Sequence, residues 1–158
     1  MKPIIRTLAA AAAAFIISMP CTASTHTAAE THEIEALARM LWGEARGVES
    51  DTEKAACVWV VLNRVDDSRW PDDALSVLAQ RYQFAGYSSK NPVNDELYIL
   101  AEDVYDRWQA EKEGEENPGR VIPENYFYWS GDGKRNRFRK EYYDKVYYDW
   151  SLESPYED

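Results

Sequence analysis

The chain has 158 residues, with 18 Lys plus Arg against 28 Asp plus Glu and a formal net charge of −10. So acidic a balance argues against nonspecific nucleic-acid binding and against retention on an anionic wall by bulk charge. Two histidines and two cysteines, with no His or Cys pair at ligand spacing, leave no metal and no cofactor expected.

Residues 1–23 have the pattern of an export signal. Lys2 and Arg6 precede an apolar stretch, Leu8 to Met19, which Pro20 ends. Cys21-Thr22-Ala23 then offers small residues at the −3 and −1 sites, predicting cleavage after Ala23 and no stable membrane association afterwards. The alternatives are a retained anchor and a lipid on Cys21. The short, alanine-rich stretch argues against the first, and Ser18-Met19-Pro20 against the second. Losing Lys2 and Arg6 takes the charge from −10 to −12, and removing 23 residues from 158 leaves 135, enough for one domain with a real core. Cys57 is then the single cysteine, so packing rather than disulfides must stabilise the fold. Set among Ala55, Ala56, Val58 and Trp59, it is expected as a buried small hydrophobe. The expected organisation is a linker over 24–30, a domain over 31–146 and an acidic tail over 147–158.

Thr27-Ala28-Ala29-Glu30 has capping-box spacing and predicts a first helix from near Ala28 to Glu44. Ile34, Leu37, Met40 and Leu41 face inward at helical spacing, and Gly43 and Gly47 are expected to loosen the end. Ser50-Asp51-Thr52-Glu53 is a second capping box. Its helix, to about Val65, would bury Ala55, Val58, Trp59, Leu62 and Val65, and it is apolar almost all round, so it belongs at the centre. Trp70-Pro71-Asp72-Asp73 predicts a short third helix with Pro71 in its first turn, filled by Ala74, Leu75, Val77 and Leu78. A loop rich in Tyr, Ser, Gly and Asn spans 82–92. A fourth helix, Asn94 to Glu113, carries Leu97, Leu100, Ala101, Val104, Tyr105 and Trp108 on one side, and Gly114 stops it. After a charged connection over 115–119, residues 121–129 predict an irregular aromatic strand containing Pro123. Ser130-Gly131-Asp132-Gly133 predicts a tight turn, and 136–142 a returning strand. The tail has no assignable element. The fold class is α+β, mainly α.

Glu44 is the residue most suited to chemistry. Leu41, Trp42 and Ala45 should leave one side of its carboxyl dry. Desolvation raises a carboxyl pKa and keeps a proton ready for general-acid work. Spacing alone favours a plainer role, capping a turn or pairing with Arg46.

Gly43-Glu44-Ala45-Arg46-Gly47 and Val61-Leu62-Asn63-Arg64-Val65, at this separation, resemble the SleB-like cell-wall hydrolase family, which cuts the glycan strands of bacterial peptidoglycan. The resemblance runs from about Ile34 to Phe138. It implies a small lysozyme-like (lytic transglycosylase-like) helical domain with a short C-terminal β-hairpin, and Glu44 as the catalytic acid. Tyr82-Gln83-Phe84 stands where these enzymes have a Gln-Phe pair, implying that Gln83 binds an N-acetyl group. Tyr126 to Phe138 is similar to the family's C-terminal region, where an aromatic strand leads to a Gly-x-x-Asn/His-x-Phe word. It implies sugar subsites lined by Tyr126, Tyr128 and Trp129, an amide or hydroxyl contact from Asn136, and Phe127 and Phe138 in the core. This region is shorter than in the longer family members. Arg46, Asn63 and Arg64 match family words, and the latter two are expected to satisfy backbone groups or pair with acids near the site.

Hydrolysis by water normally takes two carboxylates. Glu49, Asp51 and Glu53 read as helix-start acids, so a single-acid lytic transglycosylase that closes a 1,6-anhydro ring is expected. The alternatives are muramidase-type hydrolysis with Glu49 or Asp51 as partner, and a noncatalytic wall-binding module. Lys134, Arg135, Arg137, Arg139 and Lys140 crowd into one segment, either as a solvated turn or as a contact for substrate carboxylates.

Overall fold

A computed structural model describes residues 25–156; the expected signal over 1–23 lies outside the described residues. Helix α1 (Ala28–Ala45) opens on a complete capping box. The Thr27 side chain accepts the Glu30 N–H at 3.3 Å, and the Glu30 carboxylate accepts the Thr27 N–H at 2.7 Å. Ile34, Leu37, Met40 and Leu41 are buried, as the helical spacing predicts.

Helix α2 (Asp51–Asp66) is capped by Ser50, whose hydroxyl accepts the Glu53 N–H at 3.0 Å. The expected second capping box is only half there. The Glu53 carboxylate instead accepts the backbone N–H of Asn136 at 2.7 Å, a long-range partner in the hairpin. Every residue from Ala55 to Arg64 is buried, which makes α2 the central helix; Val65, expected inside, is only half-buried in its last turn. Cys57 is free and fully buried.

Helix α3 (Ala74–Leu78) starts later than expected. Asp73 is its cap, accepting the Ser76 N–H at 2.8 Å, so Pro71 lies before the helix rather than in its first turn. A side-chain acceptor at Asp73 satisfies an orphan donor, and this sets the start. So short a helix turns one face to the core, and Leu75 is left 42% exposed. Helix α4 (Asp95–Lys112) is capped by Asn94 and followed by Gly114 at φ 104°, where glycine is at ease. Its apolar side is buried as expected, and it packs on α1 and α2.

Strands β1 (Tyr128–Gly131) and β2 (Asn136–Arg139) form an antiparallel pair, with Tyr128 opposite Arg139 and Gly131 opposite Asn136. Ser130 and Gly131 therefore belong to a strand, and the turn lies later. There the Asp132 side chain accepts the N–H groups of both Lys134 and Arg135 at 2.9 Å. Phe127 and Phe138 are buried. The segment before β1 is irregular, and α2 holds it: the Asn63 amide donates to the carbonyls of Pro123 and Tyr126, each at 3.0 Å.

Residues beyond 146 pack on the domain. Tyr148 is buried and donates its N–H to the Phe138 carbonyl at 2.9 Å. Ser154 meets Thr52 at 2.6 Å, and the Tyr156 hydroxyl donates to Asp103 at 2.7 Å. The architecture is mainly helical with one two-stranded antiparallel sheet. No described helix is long and apolar enough to cross a membrane.

Candidate active site

Glu44 sits in the last turn of α1, flanked by two close backbone approaches. A Cβ on Gly43 would fall on the carbonyl of Gly86, and one on Gly47 would fall on the carbonyl of Gly133. The two glycines do not loosen the helix end. Each lets one wall press against it, the 82–92 loop on one side and the hairpin turn on the other. The first contact delivers the Gly86 N–H to Glu44 Oε1 at 2.6 Å. The loop is tied down further. Asn91 Nδ2 donates to the carbonyls of Gly86 at 2.8 Å and Arg39 at 3.1 Å, and the Arg39 guanidinium donates to the Asn91 carbonyl. Arg46 turns away, donating to the Trp42 carbonyl at 2.7 Å, so the plain Glu44–Arg46 pair does not form. No described residue hydrogen-bonds Glu44 Oε2.

Glu44 opens into a pocket of about 140 Å³, whose walls include Arg64, Gln83, Phe84, Tyr128 and Trp129. Arg64 is 3% exposed and donates to the Phe127 carbonyl at 2.8 Å and to Gln83 Oε1 at 3.1 Å. Its guanidinium lies 5.1 Å from the Phe84 ring centre and 5.0 Å from that of Tyr128. Burial pulls its pKa down to about 10, opposed by the neighbouring Tyr128, so it remains a cation at neutral pH. The expected backbone role is there. The alternative, an acidic partner, is not taken: among the described residues no carboxylate pairs with Arg64. By engaging Oε1, Arg64 leaves the Gln83 amide nitrogen free to donate.

Glu44, Gln83, Tyr128 and Trp129 thus meet at one pocket. Tyr126 and Asn136 do not line it. Tyr126 packs against Tyr148, with ring centres 5.1 Å apart. Asn136 is 5% exposed; its side-chain amide donates to Cys57 Sγ at 3.5 Å and its N–H goes to Glu53. It bridges hairpin and helix. Sequence reasoning missed Tyr82 and Tyr142 as wall residues, and named Arg139 only within a basic segment, either solvated or touching substrate carboxylates. Tyr82 is 93% exposed at φ 65°, a left-handed backbone unusual for tyrosine. Arg139 stands opposite Tyr128 in the ladder, so strand pairing puts it on the same face. Its Nε is buried without a hydrogen-bond partner.

Cys57 lies between two carboxylates. Burial pushes its thiol well above the ordinary range, and the nearby charges of Glu44 and Glu53 push it the same way. Glu53 and Glu49 line a different cavity, and Asp51 pairs with Lys54 at 2.7 Å.

Fold and pocket together are those of a small α+β enzyme with one carboxylate set among aromatic rings and a buried cation. The chain belongs to the SleB-like cell wall hydrolase family: the profile described as cell wall hydrolase matches residues 48–146, and the protein is a peptidoglycan-acting enzyme. The matched span takes in Arg64, Gln83 and the whole hairpin and begins just after Glu44. No curated protein and no solved structure matches the chain.

Proposed function

We propose that the protein is an exported lytic transglycosylase of lysozyme-like fold, secreted through the signal over 1–23, with Glu44 as its single catalytic carboxyl. The observation that carries this is the lining of the pocket: among the described residues Glu44 is its only carboxylate. In the cleavage step the Glu44 carboxyl gives its proton to the glycosidic oxygen as the C1–O bond breaks. The sugar's own C6 hydroxyl oxygen then bonds to C1, and the Glu44 carboxylate takes up the hydroxyl proton. No water is consumed, and the muramyl end closes as a 1,6-anhydro ring. The nucleophile belongs to the substrate, which is why one carboxyl suffices.

The remaining wall residues bind and orient. Tyr128 and Trp129 offer faces for sugar rings, the Gln83 amide offers a donor to an acetamido carbonyl, and Arg139 offers one to a substrate oxygen. Gly86, by holding Oε1, fixes the rotamer that presents Oε2. Glu44→Gln keeps the shape and removes the transferable proton, so it should lower cleavage of purified peptidoglycan by about 10³-fold or more with an unchanged circular dichroism spectrum. Near-normal turnover in that variant, with deamidation excluded by mass, would refute the assignment.

A further inference from the structure

A second cavity is larger than the one that holds Glu44. It measures about 510 Å³, within the range of about 300–1,000 Å³ usual for small-ligand sites, and opens beside Gly47. Its lining is charged with both signs: Glu49 and Glu53 from the start of α2, Lys134 and Arg135 from the hairpin turn. Lys134, Arg135 and the Glu49 carboxylate make no ion pair among the described residues, with one another or elsewhere, although they face the same space. Glu53 is already held by the Asn136 N–H, which fixes its place in the wall. A shallow groove of about 260 Å³ runs over the hairpin between the two sites. It shares Ser130 and Gly131 with the Glu44 pocket and Arg135 with the large cavity.

We propose that this cavity is a second, noncatalytic binding site for the zwitterionic part of a peptidoglycan stem peptide, the groove carrying the peptide from a muramyl residue bound at Glu44. The proposal rests on the glycan-cleaving reading above. A stem peptide branches from the muramyl sugar, carries free carboxylates and, at its diamino acid, a free amine. Lys134 and Arg135 match the carboxylates as charge-assisted donors, and Glu49 matches the amine. A neutral glycan chain presents neither charge. The divided lining therefore fits the branch rather than the strand. It also gives an acidic protein a local hold on an anionic polymer that its bulk charge would repel.

The test compares peptide-bearing glycan strands with the same strands stripped of peptide by an amidase. The substrate reading predicts that the parent protein cleaves both; cleavage of neither would sink that reading rather than this one. The cavity predicts a lower KM for the peptide-bearing strands. The double variant Lys134→Ala, Arg135→Ala should raise that KM by about tenfold with kcat held, and leave KM on stripped strands within about twofold. Acetylating the peptide amine should raise KM for the parent but not for Glu49→Gln. Equal changes on both strand types, or no change on either, would overturn the proposal.

Discussion

Two carboxylates flank Cys57, and they are held alike. Glu44 accepts a backbone N–H from Gly86 at 2.6 Å, and Glu53 accepts one from Asn136 at 2.7 Å. Each bond ties a helix to a distant segment. The surroundings differ. Glu44 opens among Phe84, Tyr128, Trp129 and a buried guanidinium, while Glu53 opens beside Glu49, Lys134 and Arg135. An aromatic wall binds sugar faces, whereas a charged wall holds ions and leaves an acid beside them a structural or electrostatic part. The hold on a carboxylate does not mark it as catalytic; what the site around it can bind does.

The largest way to break this contrast short of Glu44 itself is Gly43→Ala. The added methyl would strike the Gly86 carbonyl, and relief would carry away the N–H that orients Glu44. Steady-state cleavage should fall about 100-fold and stability by about 1–3 kcal/mol, read from rates and from a urea titration. Normal rates would show that the loop contact does not position the acid. Arg64→Met should come next. It removes the donor to the Phe127 carbonyl, costing about 1–3 kcal/mol, and frees Gln83, so KM should rise by about tenfold while kcat changes less. A change confined to kcat would make Arg64 part of the chemical step.

Glu53→Gln sharpens the comparison from the other side. A neutral acceptor still meets the Asn136 N–H, so the loss should be about 1 kcal/mol of stability, with cleavage within about tenfold of the parent. Inactivation as complete as in Glu44→Gln, in a folded variant, would restore a two-carboxylate hydrolysis.

The smallest effect belongs to the residue between the two acids. Cys57→Ala should cost about 1 kcal/mol and leave specific activity unchanged. Because burial raises the Cys57 pKa, the unfolded chain loses the thiol proton first. The stability this group contributes is full below the ordinary thiol range, about pH 8.5, and is lost as pH climbs above it. Denaturation followed between neutral and alkaline pH should therefore show a shallower decline in Cys57→Ala than in the parent. Identical slopes would mean that the thiol is not held protonated by the fold.

Much of the helical frame was legible because its signals are local. Thr27 with Glu30, Ser50 and Asn94 mark helix starts by side chains that reach only three residues, and α4 displays its buried side at helical spacing. Misreadings arose where a side chain chose a distant partner over a near one. The Glu53 carboxylate reaches the hairpin rather than the Ser50 N–H, and the Asn136 side-chain amide reaches Cys57. Gly43 and Gly47 read as helix breakers because sequence shows no sign of the carbonyls of Gly86 and Gly133 they must admit. Tyr82, Arg139 and Tyr142 join the pocket only through the loop conformation and the strand register, neither of which a spacing encodes. Glu44, Gln83, Tyr128 and Trp129 were named from their words, and what brings them together is the fold of α1, the 82–92 loop and β1.

The most direct measurement of the central claim is the mass of the muropeptides released from purified peptidoglycan, digested and weighed without borohydride reduction. A single carboxyl working with the substrate's own C6 hydroxyl predicts anhydro-muramyl ends, one water lighter than hydrolytic products, from the earliest time points. Reducing ends dominating from the start would contradict it and require a second carboxylate that activates water.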